Sequence, residues 1–200
     1  MISAILTAAG LSRRMGNINK LLLLWEDRPL VAHMCQILLA SKIEELIVVT
    51  GHQSDAVTAV LPRDLRLKTV YNPNYVQGLT TSIQTGVRHL SPDCQAFLVI
   101  QADQPWLTSS LIDRLIDHWK ISPEKSIVVP EYQGRRRTPV LFAYEWRHQI
   151  QEETYPEGCR NILKSNAQAI RRVVVNDPKE LEDIDTLEGW KRLGPATRRS

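Results

Sequence analysis

A loop rich in small residues and cations follows the first apolar run of the chain. The segment Thr7–Gly16 reads TAAGLSRRMG, and Lys20 follows it. Small residues let a ligand approach the backbone closely, and loop N–H groups with cationic side chains suit phosphate oxygens. The spacing matches neither the GxGxxG dinucleotide fingerprint nor the Walker A loop. We therefore predict a nucleotide site at the end of the first strand; the alternative is an ordinary β–α turn with surface arginines.

A carboxylate stands at a second place where a strand is expected to end. Asp103 follows the apolar run Leu98–Ile100 and precedes Gln104 and Pro105. Mg²⁺ binds in proteins through a few carboxylates and the phosphate oxygens of its substrate, so Asp103 is a candidate metal ligand. The alternative is a turn-starting Asp, with Pro105 opening the next helix.

Two further carboxylates lie near the end of the chain. Asp183 and Asp185 are two residues apart, which places their side chains on the same side of an extended segment. We predict that Asp185 completes a Mg²⁺ site with Asp103. The alternative is that Asp185 or Thr186 caps the last helix.

Polar residues also follow the third apolar run, at Asn72 and Pro73. Gly78 then precedes a helical pattern whose first residues include Thr80, Thr81 and Ser82. A glycine there lets a ligand approach, and the hydroxyls offer hydrogen bonds to it. Simple helix capping is the alternative interpretation.

Short apolar runs alternate with amphipathic stretches, which predicts βαβ units and a mostly parallel sheet covered on both faces. The predicted strands are Ser3–Ala8, Glu45–Thr50, Leu67–Tyr71, Gln95–Gln101, Ser126–Pro130 and, later, Arg137–Ala143 and Ala169–Val175. The predicted helices are Leu30–Ser41, Leu79–Leu90, Ser109–Trp119, Glu145–Glu152, Gly158–Asn166 and Thr186–Leu193. Ligands of such sheets bind beyond the carboxyl ends of the strands, where the loop after Thr7, Asn72 and Asp103 would converge. We expect one domain over residues 1–193 and a disordered basic tail over 194–200.

Composition excludes several classes of protein. A net charge of +3 is too small to indicate a nucleic-acid partner. No run approaches the roughly 20 apolar residues that span a membrane, and the apolar start has no preceding basic region typical of a signal peptide. The 3 cysteines form no CxxC or zinc pattern, which indicates reduced thiols and a cytoplasmic location.

These motifs together resemble the MobA-like nucleotidyltransferase family, in particular its branch that joins CMP to molybdopterin. The resemblance rests on Thr7–Gly16 with Lys20, Asn72–Pro73, Gly78–Ser82, Asp103–Pro105, Pro139–Phe142, Gly158 with Arg160, and Asp183–Thr186. It implies a Rossmann-like three-layer αβα sandwich of the nucleotide-diphospho-sugar transferase type. It also implies a nucleotide half over residues 1–105 and an acceptor half over 106–193.

The resemblance assigns roles residue by residue. The nucleotide-binding residues it implies are Thr7, Ala8, Ala9, Gly10, Leu11, Ser12, Arg14, Lys20, Asn72, Gly78, Ser82 and Asp103. Arg14, Lys20 and Asp103 would be catalytic, and Asp103 with Asp185 would hold Mg²⁺. Cytidylyl-transferring relatives read Thr-Ala-Ala-Gly where guanylyl-transferring ones read Leu-Ala-Gly-Gly, so residues 7–10 favour CTP. A Cβ at Ala9 would narrow the base pocket towards a pyrimidine.

The acceptor half departs from the family pattern at two places, Arg137–Thr138 and Tyr155–Glu157. Arg136, Arg137 and Arg160 are the predicted acceptor-binding residues. The predicted substrates are CTP and molybdopterin, with a molybdoenzyme or its maturation chaperone as a further partner. The alternatives are GTP as donor, a sugar phosphate or methylerythritol phosphate as acceptor, or a non-catalytic cofactor chaperone.

Overall fold

The computed structural model describes residues 1–16, 18–121, 123, 126–154 and 156–193; the predicted tail 194–200 lies outside them. The strands are β1 (Ile2–Ala8), β2 (Leu24–Trp25), β3 (Arg28–Pro29), β4 (Glu45–Thr50), β5 (Leu67–Tyr71), β6 (Ala96–Gln101), β7 (Ile127–Tyr132), β8 (Arg135–Arg136), β9 (Val140–Ala143) and β10 (Ile170–Val174). The helices are α1 (Leu30–Leu39), α2 (Ser54–Ala59), α3 (Leu79–Arg88), α4 (Ser109–Ile121), α5 (Arg147–Glu152), α6 (Arg160–Ser165) and α7 (Leu187–Leu193).

One central sheet carries the fold, with strand order β10-β7-β9-β6-β1-β4-β5 and β8 beside β7. β1 pairs in parallel with β4 on one side and with β6 on the other. β9 runs antiparallel between β6 and β7. The chain therefore winds outward from β1 to β5 and then returns to the other side of β1, which makes the end of β1 a topological switch point.

Helices cover both faces of the sheet. Side chains of β1 alternate in direction, so Ala4 and Leu6 pack in one core with α1 and α4, whereas Ile5 packs in a second core with α3, α5 and α6. Every residue of β1 is buried, as expected for a central parallel strand whose sequence is nearly all apolar. This three-layer αβα sandwich confirms the predicted fold class.

The chain contains small elements that the sequence patterns did not indicate. The β2–β3 hairpin has two residues on each side, too few for any periodicity to show. α2 is a six-residue helix in which Val57 is the buried residue. The five strands predicted first are all present, with ends shifted by at most two residues. Long periodic segments are thus recognisable, and short ones depend on tertiary contacts.

Candidate active site at the carboxyl end of β1

The loop after β1 forms one wall of a cleft of about 460 Å³ at the switch point. Ser12 adopts a left-handed backbone conformation (φ 49°), and its hydroxyl oxygen accepts a hydrogen bond from the Lys20 backbone N–H (3.2 Å). The buried Met15 side chain fixes the middle of the loop in the protein. A Cβ placed on Gly10 would meet no protein atom within 4 Å, so the backbone there faces open space.

Lys20 lies at the centre of the charged part of the cleft. Its Nζ donates to Asp103 Oδ2 (2.6 Å), to Asp185 Oδ1 (2.9 Å) and to the Ile184 carbonyl oxygen (3.1 Å). Burial by itself lowers the pKa of Lys20, but the two carboxylates outweigh that effect and raise the pKa above its ordinary value. Lys20 is therefore firmly cationic, and it joins two acidic residues 82 positions apart in the sequence.

Asp103 is the most deeply buried carboxylate of this cluster, with 9% of its surface exposed. Burial raises its pKa, and the neighbouring Asp183 and Asp185 add to that rise, while Lys20 opposes it. Its second oxygen, Oδ1, is buried and has no hydrogen-bond partner among the described residues. A buried carboxylate oxygen without a partner is costly, and a ligand cation would satisfy it.

Asp185 is brought to Asp103 by the extended segment that precedes α7. The Ile184 N–H donates to the Asp103 carbonyl oxygen (2.9 Å), which lays this segment across the end of β6. Asp185 also accepts a hydrogen bond from the exposed Arg14 (2.7 Å). Burial opposes ionisation of Asp185, but the hydrogen bond and charge of Lys20, aided by Arg14, lower its pKa. Asp183, by contrast, is exposed and faces a second cavity.

The other end of the cleft is lined by uncharged residues. These residues are Ala9, Leu11, Tyr75, Val76, Gly78, Leu79 and Ser82. A Cβ on Gly51 would lie 2.6 Å from Tyr75 Cβ and 2.8 Å from Ala9 Cβ. The Tyr75 side chain and Ala9 thus both pack against Gly51. Tyr75 was not predicted; a lone aromatic residue between Asn72 and Gly78 carries no periodic or charge signal.

Two residues predicted at the nucleotide lie behind the cleft surface. Asn72 is 1% exposed, and its Nδ2 donates to Thr81 Oγ1 and Ser82 Oγ (3.0 Å each). It therefore fixes the first turn of α3 rather than lining the cleft. Ala8 is buried in the core beneath the loop. Gly78 has φ 121°, and a Cβ there would lie 2.6 Å from the Pro156 carbonyl oxygen, so the glycine permits a close backbone approach.

A second cavity has a volume of about 690 Å³, and Gln104, the residue after Asp103, is part of its lining. Gln104, Tyr132, Gln133, Arg135, Arg137, Thr138, Pro178, Leu181, Glu182 and Asp183 line it. Gln104 is 2% exposed, and its Oε1 has no hydrogen-bond partner among the described residues. The cavity therefore combines two guanidinium groups, two carboxylates and a buried amide.

Of the three predicted acceptor-binding arginines, one lines the second cavity and two do not. Arg137 lines the second cavity together with Arg135. Arg136 instead donates to the Leu163 carbonyl oxygen (3.0 Å), as expected for neighbouring residues that point to opposite sides of an extended segment. Arg160 forms an ion pair with Glu157 and lines neither cavity. Tyr155, the first residue of the second departure from the family pattern, lies outside the described residues.

Comparison with known proteins identifies a family model and relatives that this chain is similar to. Residues 4–172 match the family model described as the MobA-like NTP transferase domain. The molybdenum cofactor cytidylyltransferase of Escherichia coli (strain K12) is 29% identical over 142 residues, covering 71% of this chain and 70% of that protein. Nicotine blue oxidoreductase of Paenarthrobacter nicotinovorans is 25% identical over 202 residues, covering 96% of each chain.

Solved structures share the fold. The crystal structure of Rv0371c from Mycobacterium tuberculosis H37Rv superimposes with a TM-score of 0.83 at 22% identity, covering 96% of each chain. The same protein in a complex with manganese gives a TM-score of 0.78, covering 96% of this chain and 97% of that one. Among the described residues, no helix combines the length and apolar character that a membrane crossing requires. Because the family model covers most of the sequence, this chain belongs to the MobA-like NTP transferase family and is a nucleotidyltransferase.

Proposed function

We propose that this enzyme transfers CMP from CTP to the phosphate of molybdopterin and releases pyrophosphate. The observation that carries the proposal is the convergence of Lys20, Asp103 and Asp185 beneath an open glycine loop at the switch point. The 29% identity to a molybdenum cofactor cytidylyltransferase supports the choice of donor and acceptor. The Thr7–Gly10 sequence, read as the cytidylyl form of the motif, supports CTP over GTP.

The residues present fit a divalent ion. Asp103 and Asp185 offer carboxylate oxygens from two parts of the chain, and Asp103 Oδ1 is buried without a protein partner. No group of three or more potential ligands forms among the described residues. Two carboxylates are the usual protein share for Mg²⁺, which takes its other ligands from water and substrate phosphates. Mg²⁺ is our proposed cofactor, and the manganese complex of the structural relative supports a divalent ion in this fold.

Positioning and electrostatics supply most of the catalysis in this proposal. An oxygen of the acceptor phosphate attacks the α-phosphorus of CTP, the bond to the bridging oxygen of the β-phosphate breaks, and pyrophosphate leaves. A divalent ion at the carboxylates would neutralise charge on the α-phosphate. Arg14 and Lys20 bind the polyphosphate oxygens, and the open backbone at Gly10 lets the phosphates approach. No general base is needed, because the attacking phosphate is already ionised.

The acceptor is proposed to bind in the second cavity. Its wall at Arg135 and Arg137 supplies two guanidinium groups for an anionic acceptor. Glu182, Asp183 and the Gln104 amide lie in the same cavity and can accept or donate hydrogen bonds to a polar ring. Gln104 follows Asp103 directly, so an acceptor in this cavity lies beside the proposed metal ligands. Arg135 and Arg137 are therefore stronger candidates than Arg136 and Arg160.

The function is tested by measuring pyrophosphate release with each combination of donor and acceptor. We expect release with CTP and molybdopterin in the presence of Mg²⁺, and little with GTP or with a sugar 1-phosphate. Asp103→Asn should abolish the metal-dependent activity, whereas Asp117→Asn, in α4, should retain it. Metal dependence unchanged in Asp103→Asn, or release that requires no molybdopterin, would overturn the proposal. Oxidation of a reduced nicotinamide nucleotide is measured in parallel, because nicotine blue oxidoreductase is similar to this chain over 96% of its length.

Nucleotide choice gives a separate prediction at Ala9. Ala9 lines the uncharged end of the cleft together with Tyr75, and its Cβ lies close to Gly51. Ala9→Gly should widen this end and reduce the preference for CTP over GTP by about tenfold, the usual worth of one methyl-sized contact in a pocket. The measurement is the ratio of kcat/KM for the two nucleotides in each protein. An unchanged ratio would remove Ala9 from base selection.

A further inference from the structure

The Lys20 ammonium group fills a nest of three oxygens. Asp103 Oδ2, Asp185 Oδ1 and the Ile184 carbonyl lie 2.6, 2.9 and 3.1 Å from Nζ. Only 13% of the Lys20 side chain is exposed, so these protein oxygens replace much of its hydration. Oxygen ligands from two carboxylates and a backbone carbonyl are also what a hard divalent cation prefers.

The same two carboxylates are the ones that the proposed function assigns to the metal. A lysine ammonium group and a divalent ion at the same two carboxylates compete for their negative charge, and at close range the two cations repel each other. Lys20 must therefore leave these oxygens before a metal ion binds them fully. Without Lys20, the deeply buried Asp103 would be a charge without a cation, which is costly.

A hydrogen bond fixes the backbone of Lys20, whereas the ammonium group can exchange one anionic partner for another. The Lys20 N–H donates to Ser12 Oγ in the glycine loop (3.2 Å), so the residue stays at the edge of the cleft. Its four-carbon side chain has rotatable bonds that let the ammonium group move from one anion to another. The cleft that receives the triphosphate is lined by Lys20 itself.

We propose that Lys20 is an internal cation that occupies the metal-binding carboxylates until a nucleoside triphosphate draws it onto the phosphates, so that metal and nucleotide bind cooperatively. The inference rests on the proposed function for the identity of the metal ligands. It adds that the free enzyme binds a divalent ion weakly. Because coupling between two ligands is reciprocal, the metal must also strengthen nucleotide binding to the same extent.

The test measures Mn²⁺ binding to the full-length protein without any nucleotide, from the paramagnetic resonance signal of free Mn²⁺. We expect weak binding to the wild-type protein and binding at least about tenfold tighter to Lys20→Met, which removes the ammonium group from both carboxylates and leaves Asp185 with its Arg14 ion pair. Lys42→Met is the matched control, because Lys42 also pairs with a carboxylate, Asp117, but on the surface; it should bind Mn²⁺ like the wild type. The double variant Lys20→Met with Asp185→Asn should lose the gain.

Lys20→Gln provides a second neutral variant, of similar length and with a remaining hydrogen-bond donor, in case Lys20→Met does not fold. Tight Mn²⁺ binding to the wild-type protein alone, or no gain in a folded neutral variant, would overturn the inference. Either result leaves the proposed function standing if the wild-type enzyme releases pyrophosphate. Conversely, a gain in Mn²⁺ binding by the variant together with no pyrophosphate release by the wild-type enzyme would support the internal cation and reject the proposed transfer.

Discussion

At the scale of single residues, the cleft separates groups that hold the fold from groups that face a ligand. Asn72 and Ala8 support the cleft from behind, whereas Gly10 presents bare backbone to open space. Lys20 belongs to both groups, because it neutralises the buried Asp103 and the half-exposed Asp185 and also lines the cleft. Substitutions at Gly10 and Lys20 should therefore have effects that differ in kind.

Gly10→Ala should lower nucleotide affinity by about tenfold or more while leaving the free energy of unfolding within about 0.5 kcal/mol of the wild type. The physical reason is that the new methyl group meets no protein atom within 4 Å and projects where phosphates are expected. Nucleotide titration and urea denaturation measure the two quantities. Unchanged affinity would place the phosphates elsewhere.

Gly86→Ala is the control for that substitution. A Cβ at Gly86, in α3, would lie 2.4 Å from Ile5 Cγ2 in β1. Overpacking at this contact should destabilise the protein by about 2 kcal/mol, even after the gain in helix propensity. The fraction that remains folded should bind nucleotide normally, because Gly86 is not among the residues that line the cleft.

Lys20→Met should lower the free energy of unfolding by about 3 kcal/mol near neutral pH, because it leaves buried carboxylate charge without its cation. Burial already raises the pKa of Asp103 against the opposing effect of Lys20, and loss of Lys20 raises that pKa further. As the pH falls through the raised pKa, the folded protein takes up a proton and the penalty is relieved. The stability difference from the wild type should therefore narrow at mildly acidic pH in urea titrations. A difference that widens on acidification would contradict this account.

At the scale of elements, α7 acts as an anchor for the segment that carries Asp185. Trp190 packs edge-on against Trp25 at 5.7 Å, and Trp25 packs likewise against Trp106 at 5.1 Å. The Trp190 N–H donates to the Thr186 carbonyl oxygen, and Thr186 Oγ1 accepts from the Gly189 N–H. The short helix is thus capped at one end and held by aromatic contacts, one turn away from Asp185.

Trp190→Ala should weaken nucleotide binding in the presence of Mg²⁺ severalfold, because the Asp185 segment loses its anchor. The loss of aromatic packing should also cost about 2 kcal/mol of stability. Trp119→Leu, in α4, is the control: it removes buried aromatic surface from the same core and leaves the ring contacts of Trp25 with Trp106 and Trp190 in place. It should reduce stability and leave nucleotide affinity unchanged. Equal effects of both variants on affinity would reduce α7 to a general stabilising role.

At the scale of the whole molecule, the site exists because three distant parts of the chain meet at the switch point. The glycine loop follows β1, Asp103 follows β6, and Asp185 arrives after β10, at the far edge of the sheet. A backbone hydrogen bond from Ile184 to Asp103 joins the last of these to the centre. The second cavity opens beside Asp103, between the β7–β8 turn and the same returning segment. Both cavities therefore share the segment that carries Asp183 and Asp185.

The amino-acid sequence by itself was enough to predict the three-layer fold and the polar loop that follows the first strand. β1, β4 and β6 are mostly apolar and have the length typical of buried parallel strands, and α3 and α4 carry a helical apolar face. The glycine loop and Asp103 were recognisable because small residues, cations and a carboxylate follow such strands directly. Each of these signals is local, because all the residues that form it lie in one short stretch of the sequence.

Only the tertiary structure decided which charges meet. Three features depend on contacts between residues far apart in the chain. Lys20 is bound by Asp103 and Asp185, Tyr75 and Ala9 both pack against Gly51, and Arg135 rather than Arg136 lines the second cavity. No periodicity encodes such contacts, because they are set by strand order and by the direction in which each backbone segment arrives. Burial then changes the electrostatics of the groups that meet, as it does for the pKa of Asp103.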